Sequence, residues 1–305
     1  MAGQGTTILA SDFNTIQGII SNVLGTGSGT LGYGQPVTSG PVSVGDKIAL
    51  SGWNALRNDL IAARQHQTGA NESGNLTTPS TAILVRESDR AAYLAYAQLI
   101  QTHALDAPPT SGAPGIGAQA GTIIFANSER TTPWNTIVTH TVTLTFASAN
   151  AARYYFNAGG NIQFSAILTA LQADTGAGPP AQKGYDWQQL LSNMGTVTMN
   201  YNSTTVASGT ALSNVGYYQL TTTPQTIVQK LTPSPSYTGN QYDLTAQINA
   251  TGSVITFNAK FQDLSTGGTD ELINGKLTST CVGFYATGSN VSITQYLPAV
   301  TQSGP

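Results

Sequence analysis

The sequence predicts an α+β protein. A small helical domain over residues 1–105 is expected, then a Pro/Gly linker at 106–121 and an antiparallel β-sandwich or jelly-roll-like domain over 122–305. Three observations carry this expectation. The hydrophobic period is helical in the first third and falls to two beyond the linker. "DAPPTSGAPGIGAQAG" gathers prolines and glycines without apolar periodicity, as an interdomain connection does. Short β-rich runs then alternate with turn residues, the pattern of a sandwich.

The first helix is read in "SDFNTIQGIISNVLG", where Ser11 or Asp12 can cap and Phe13, Ile16, Ile20, Val23 and Leu24 recur at helical spacing before Gly25. In "SGWNALRNDLIAARQHQTG", Ser51 caps, Trp53, Leu56, Leu60 and Ile61 form the stripe, and Gly69 ends it. A third helix begins at Ser88 or Asp89 and sets Leu94, Ala97 and Ile100 on one face, with alanines favouring the helix. The Gly- and Pro-dense segment between the first two helices is a loop with a short hairpin near Gly45 and Asp46.

Beyond the linker, Val138, His140, Val142, Leu144 and Phe146 fall on one side of a strand and Thr139, Thr141, Thr143 and Thr145 on the other. "RYYFNAGGNIQFSAIL" reads as two strands joined through Asn157, Ala158, Gly159 and Gly160. Ala-Thr-Gly-Ser at 250–253 and again at 286–289 lies each time between β-rich runs and predicts two further hairpins. One helix interrupts them: Asp186 precedes Trp187, Leu190, Leu191 and Met194 at helical spacing.

Charged residues make up 8% of the chain, against about 25% in an ordinary soluble domain. Ser, Thr, Asn, Gln and Gly therefore supply the polar surface, and little mutual repulsion opposes self-association. The net charge of −3, with no run of Lys or Arg, excludes an electrostatic grip on nucleic acid. No apolar run approaches the ~20 residues that span a bilayer, so no membrane partner is expected. The opening "MAGQGTTILASDF" lacks a basic segment followed by an apolar one, which predicts a soluble product made in the cytoplasm without an export signal. The lone Cys281 forms no internal disulfide and is expected in or near a core.

The search for chemistry returns weak signals. Gly27, Gly29 and Gly32 have the spacing of a dinucleotide-binding loop, but a helix precedes them where that motif needs a strand. His66 and His103 lie at helix ends and His140 in a strand, without paired ligands; His66 is expected to bond the last carbonyls of its helix, and His140 to sit at the edge of the core. Asp263, Asp270 and Glu271 could surround a calcium ion, but their spacing departs from the calcium-loop pattern and a solvated turn is expected. Tyr154, Tyr155, Phe156, Phe164, Tyr217 and Tyr218 suit core packing or a subunit interface better than a sugar platform. Trp53 and Trp134 are read as anchors near a core.

The segments "YGQPVTSGPVSVGDKIALSGWNALRNDLIAARQHQTG" and "RYYFNAGGNIQFSA" resemble virion structural proteins of tailed phages that infect cyanobacteria. The resemblance rests on Tyr33-Gly34-Gln35, Gly45-Asp46, Trp53 with Leu56-Arg57 and Asp59, His66 through Gly69, and Arg153 through Gly160. It implies a non-enzymatic component of the tail, neck or fibre-attachment apparatus, located in the virion, with no cofactor and no metal. Its expected partners are further copies of itself and other virion proteins. A capsid decoration protein and a module binding host-surface glycan are the alternatives. The interface candidates are Trp53, Leu56, Leu60, Tyr154, Tyr155, Tyr217 and Tyr218.

Overall fold

The computed structural model describes residues 8–81, 85–107, 120–172, 182–206, 211–232, 237–265 and 272–305. Most of the 106–121 linker, with Asp270 and Glu271, lies outside them. The chain divides into two compact units: Met1–Gly121 with Arg153–Gly160 and Tyr285–Leu297, and Thr122–Ala152 with Asn161–Phe284 and Pro298–Pro305. Two segments far along the chain thus belong with the N-terminal helices, beyond the contiguous stretch that the sequence marked out.

The first unit is built on α1 (Ala10–Leu24), α2 (Leu50–Thr68) and α3 (Glu87–Thr102). Phe13, Ile16, Ile20, Val23 and Leu24 of α1 and Trp53, Leu56, Leu60 and Ile61 of α2 are all buried, as their spacing requires. Trp53 sits edge-on to both Phe13, with ring centroids 5.2 Å apart, and Tyr93, at 5.4 Å. On α3 the buried face runs through Tyr93, Ala97 and Ile100, while Leu94 is only half-buried. The helices also begin earlier than expected. Asp12 and Asp89 stand inside the first turn and accept the backbone N–H of Leu9 and Arg86 at 2.9 and 2.8 Å, a reach-back that satisfies a terminal donor. Gly69 closes α2 in the left-handed region with its N–H on the Gln65 carbonyl at 2.8 Å.

Within the described residues of the second unit two antiparallel sheets form. One runs in the order β1 (Ala120–Arg130), β10 (Lys276–Ala286), β3 (Asn161–Thr169), β4 (Val197–Met199), β5 (Thr204–Val206) and β6 (Ala211–Ser213). The other runs β11 (Ala299–Ser303), β2 (Ile137–Thr145), β9 (Val254–Gln262), β8 (Gln241–Ile248) and β7 (Gln225–Leu231). Their inner faces meet: Phe164 of β3 lies 5.0 Å, centroid to centroid, from Phe257 of β9. Val138, His140, Val142 and Leu144 of β2 alternate inward, and Phe146 follows them into the core. The first Ala-Thr-Gly-Ser turns β8 into β9 through Gly252 at φ 73°. Helix α5 (Gln182–Met194) buries Trp187, Leu190, Leu191 and Met194, with Trp187 5.0 Å from Trp134 and 6.2 Å from Phe261. Its Asp186 is interior to the helix instead of capping it.

Three expected hairpins are absent, and near Gly45 and Asp46 there is only a turn, with the Asp46 N–H on the Ser43 carbonyl at 3.1 Å. "RYYFN" belongs to helix α4 (Ala149–Asn157), and only from Asn161 does the chain enter a strand. Ser148 starts that helix by accepting the Ala151 N–H at 3.1 Å, and Ala149, Ala151 and Ala152 favour it more than the aromatics oppose it. After the second Ala-Thr-Gly-Ser, Thr287 makes a lone bridge to Ser292, and a 3-10 turn at Thr294–Tyr296 follows where a strand was expected.

Candidate functional site

The Gly-rich loop of the first unit is folded around a cation. Arg153 sends one guanidinium nitrogen to the Thr26 and Gly27 carbonyls at 2.6 and 3.2 Å, and the other to the Leu31 carbonyl. Asn157 adds a bond to the Gly32 carbonyl at 3.2 Å. Gly27, Gly29 and Gly32 hold positive φ values of 42°, 56° and 102°, the conformations that let these carbonyls turn inward. A phosphate-binding loop points N–H groups at its ligand. This one presents oxygens to a guanidinium, the opposite polarity.

The other residues behind the resemblance gather in the same unit as internal fasteners. Tyr33 donates its hydroxyl to the Ala104 carbonyl at 2.6 Å and accepts from Gln67 Nε2 at 3.1 Å. Gln35 exchanges two bonds with the Ser292 backbone, 2.9 and 3.1 Å. The Asp59 carboxylate takes the backbone N–H groups of Thr38 and Ser39, at 3.1 and 2.7 Å. Gly34 is closed in by rings: a Cβ there would stand 2.5 Å from Tyr154 and 2.8 Å from Tyr296.

Burial redirects the interface candidates. Trp53, Leu56, Leu60, Tyr154, Tyr155 and Tyr217 are all buried in the chain's own core and leave little side-chain surface for a partner; Tyr218 alone is half-buried. The same burial removes Tyr154, Tyr155 and Tyr217 as platforms for a glycan.

The histidines divide by environment. His140 is fully buried, with Nδ1 2.9 Å from Ser279 Oγ and Nε2 3.1 Å from the Gln302 amide oxygen. That oxygen can only accept, so Nε2 carries the proton and the Ser279 hydroxyl donates to Nδ1. Burial holds its pKa below the ordinary value. His140 is therefore a core residue joining the inner faces of both sheets. Neither His66 nitrogen makes a well-formed hydrogen bond, against the expectation of a bond to its helix's last carbonyls. Burial pushes its pKa down to about 4, against the opposing pull of the nearby Ala158 carbonyl. His103 lies at an exposed helix end, 2.6 Å from Asp106.

Asp263 is buried, not solvated, and meets the equally buried Lys183 of α5 at 2.9 Å. Among the described residues no group of three His, Cys, Asp or Glu side chains gathers to hold a metal. Cys281 is fully buried, and burial raises its thiol well above the usual range.

What the second unit presents outward is a set of uncharged polar rows. Across the sheet of β11, β2, β9, β8 and β7, Ser303, Thr141, Asn258, Thr245 and Thr226 stand in register, and Thr301, Thr143, Thr256 and Gln247 form the next row. Thr141 donates to Asn258 at 2.9 Å along the first of these. The ionised groups on this face, Lys260 and Asp243, are opposed to each other in the register. The outer face of the other sheet repeats the design. Thr278, Thr280 and Val282 stand opposite Ile167, Ser165 and Gln163, and Lys276 pairs with Glu129 at 2.7 Å. Exposed apolar side chains lie on the outermost strands, Ile124 on β1, Leu212 on β6 and Leu231 on β7, and also on interior ones, Ile137 on β2 and Ile167 on β3.

Along α5 a shallow, open polar face carries Gln182, Tyr185, Asp186, Gln188, Gln189, Ser192 and Asn193. Its signal was present as a second helical stripe, polar and neutral apart from one acid, beside the apolar stripe of Trp187 and Leu190. No protein-family model, curated protein or solved structure matches the chain. No helix among the described residues is long and apolar enough to cross a membrane.

Proposed function

We propose that the chain is a structural component of a tailed-phage virion, in the tail, neck or fibre-attachment apparatus, and acts by self-association and docking to other virion proteins. The observation that supports this most is the largely uncharged register of the two outer sheet faces, where Lys260 stands opposite Asp243 and Lys276 pairs with Glu129. Such a face carries little field to repel a second copy, and its Thr, Asn and Gln side chains offer donors and acceptors at regular strand spacing. The exposed apolar side chains on outermost strands add the kind of edge that soluble proteins ordinarily cover. The resemblance to virion proteins supplies the setting, and closed symmetry is the economical way to cover such edges.

The test is particle purification followed by immunogold labelling. The protein should copurify with assembled particles, with label on the tail or neck. Label spread over the head would move the reading to a capsid decoration protein. Absence from particles would overturn it.

A further inference from the structure

We propose that Lys183 and Asp263 condense to an intramolecular isopeptide bond, a covalent tie between α5 and the chain leaving β9. Lys183 Nζ and Asp263 Oδ2 stand 2.9 Å apart, and each side chain is only 1% exposed. Among the described residues no other lysine is buried. Both partners are held from behind. The Asp263 N–H donates to the Thr136 carbonyl at 3.1 Å, directly after β9. Lys183 lies on α5, whose packing is close at this end: a Cβ on the adjacent Gly184 would stand 3.3 Å from Leu171. The surroundings are aromatic. Nζ is 5.5 Å from the centre of the Tyr237 ring, and Trp187, one turn along α5, packs on Trp134 and Phe261.

Proximity alone does not make a bond. The Lys276–Glu129 pair is closer still, at 2.7 Å, but its side chains are 41% and 48% exposed, and water keeps the two charges solvated. Around Lys183 and Asp263 two charges are costly to hold, and passing one proton from Nζ to the carboxylate discharges both. The pair is then an amine against a carboxylic acid, already oriented, so a short side-chain rotation replaces a bimolecular encounter. The amine lone pair attacks Cγ, a C–N bond forms, and the C–O bond to one carboxyl oxygen breaks. That oxygen leaves as water, carrying the hydroxyl proton and one of the two amine protons. Nothing is oxidised or reduced. A dry site favours this direction, because the reverse reaction needs water to return.

Asp186 is assigned the relay of that amine proton. It stands three residues beyond Lys183, a neighbouring position on a helix, and is 4% exposed. Its Oδ1 accepts from Gln182 Nε2 at 2.8 Å, while Oδ2 has no hydrogen-bond partner among the described residues and can take up a proton and return it. The finished bond would restrain the unfolded chain over a long loop, as a disulfide does, in a protein whose lone cysteine can form none.

The inference does not rest on a place in the virion. The test is mass spectrometry of the purified, denatured chain. The parent should be lighter than its sequence by one water, and a tryptic digest should contain a branched peptide joining the segments that carry Lys183 and Asp263. Lys183→Met should restore the full mass. Asp186→Asn should leave a substantial fraction of the chains unlinked; complete linkage in that variant would overturn the relay. The parent decides the bond by itself, whether or not the variants fold. Full mass with a linear peptide cleaved after Lys183, or a water loss mapped to any other residues, would show a simple ion pair and overturn the inference.

Discussion

His66 is folded in a state that its own proton disfavours. An ordinary histidine titrates near 6.5, whereas burial brings this one down to about 4, so the folded chain holds the ring neutral across a range in which the unfolded chain protonates it. The folded pKa is depressed, so the unfolded state binds more protons between the two values. The stability is full above pH 6.5 and is lost as the pH falls toward 4, to a total of about 3 kcal/mol. His140, also depressed by burial, tilts stability the same way, so the His66 share must be isolated by substitution. Urea midpoints measured from pH 7 down to 4 should fall steeply for the parent and clearly less for His66→Gln. Equal slopes would show that the ring is protonated as readily folded as unfolded.

Among the elements, the Gly-rich loop depends most on one distant side chain. Its carbonyls at Thr26, Gly27 and Leu31 converge on Arg153, more than a hundred residues along the chain. A guanidinium fork satisfies several acceptors at once, which an ammonium cannot do in the same geometry. Arg153→Ala should lower stability by about 2–4 kcal/mol, and Arg153→Lys should recover only part of it. Hydrogen exchange should show the amides of residues 25–35 losing protection more than those of α3. Uniform loss across the chain, or full rescue by Lys, would rule out the fork as the loop's organiser. This contact marks where sequence legibility ends. The stripes of α1 and α2 and the alternation of β2 were legible because each is a local period. Arg153 could be read only as part of an aromatic run, since nothing local says which loop it will enter. In the same run Tyr154, Tyr155 and Phe156 favour a strand, whereas Ser148 and three alanines set the helix.

For the whole molecule, a chain with 8% charged residues sets several of its few ionised groups in opposed pairs, Lys183 with Asp263 in the interior, Lys276 with Glu129 on the surface and Arg90 with Glu87 on α3, and others, such as Arg153 and Asp59, against neutral backbone groups. Little net field is left over for steering or repulsion, so any association must draw on packing and on hydrogen bonds between neutral groups. Salt is the discriminating variable, because it screens charge over about 10 Å at 0.1 M and leaves dry contacts between uncharged groups nearly untouched. Sedimentation of the purified chain should show a multiple of the monomer mass, with a dissociation constant moving less than about threefold between roughly 0.05 and 0.5 M salt. A complex that dissolves in high salt would instead place the contact on the charged pairs. A chain that stays monomeric at every concentration would leave the neutral faces as plain solvated surface and remove the physical basis for self-association. In the first of these outcomes, substituting Thr143 or Thr256 by Lys on the outer face should break the oligomer without unfolding the monomer, because both side chains point away from the core and stand opposite each other in the register.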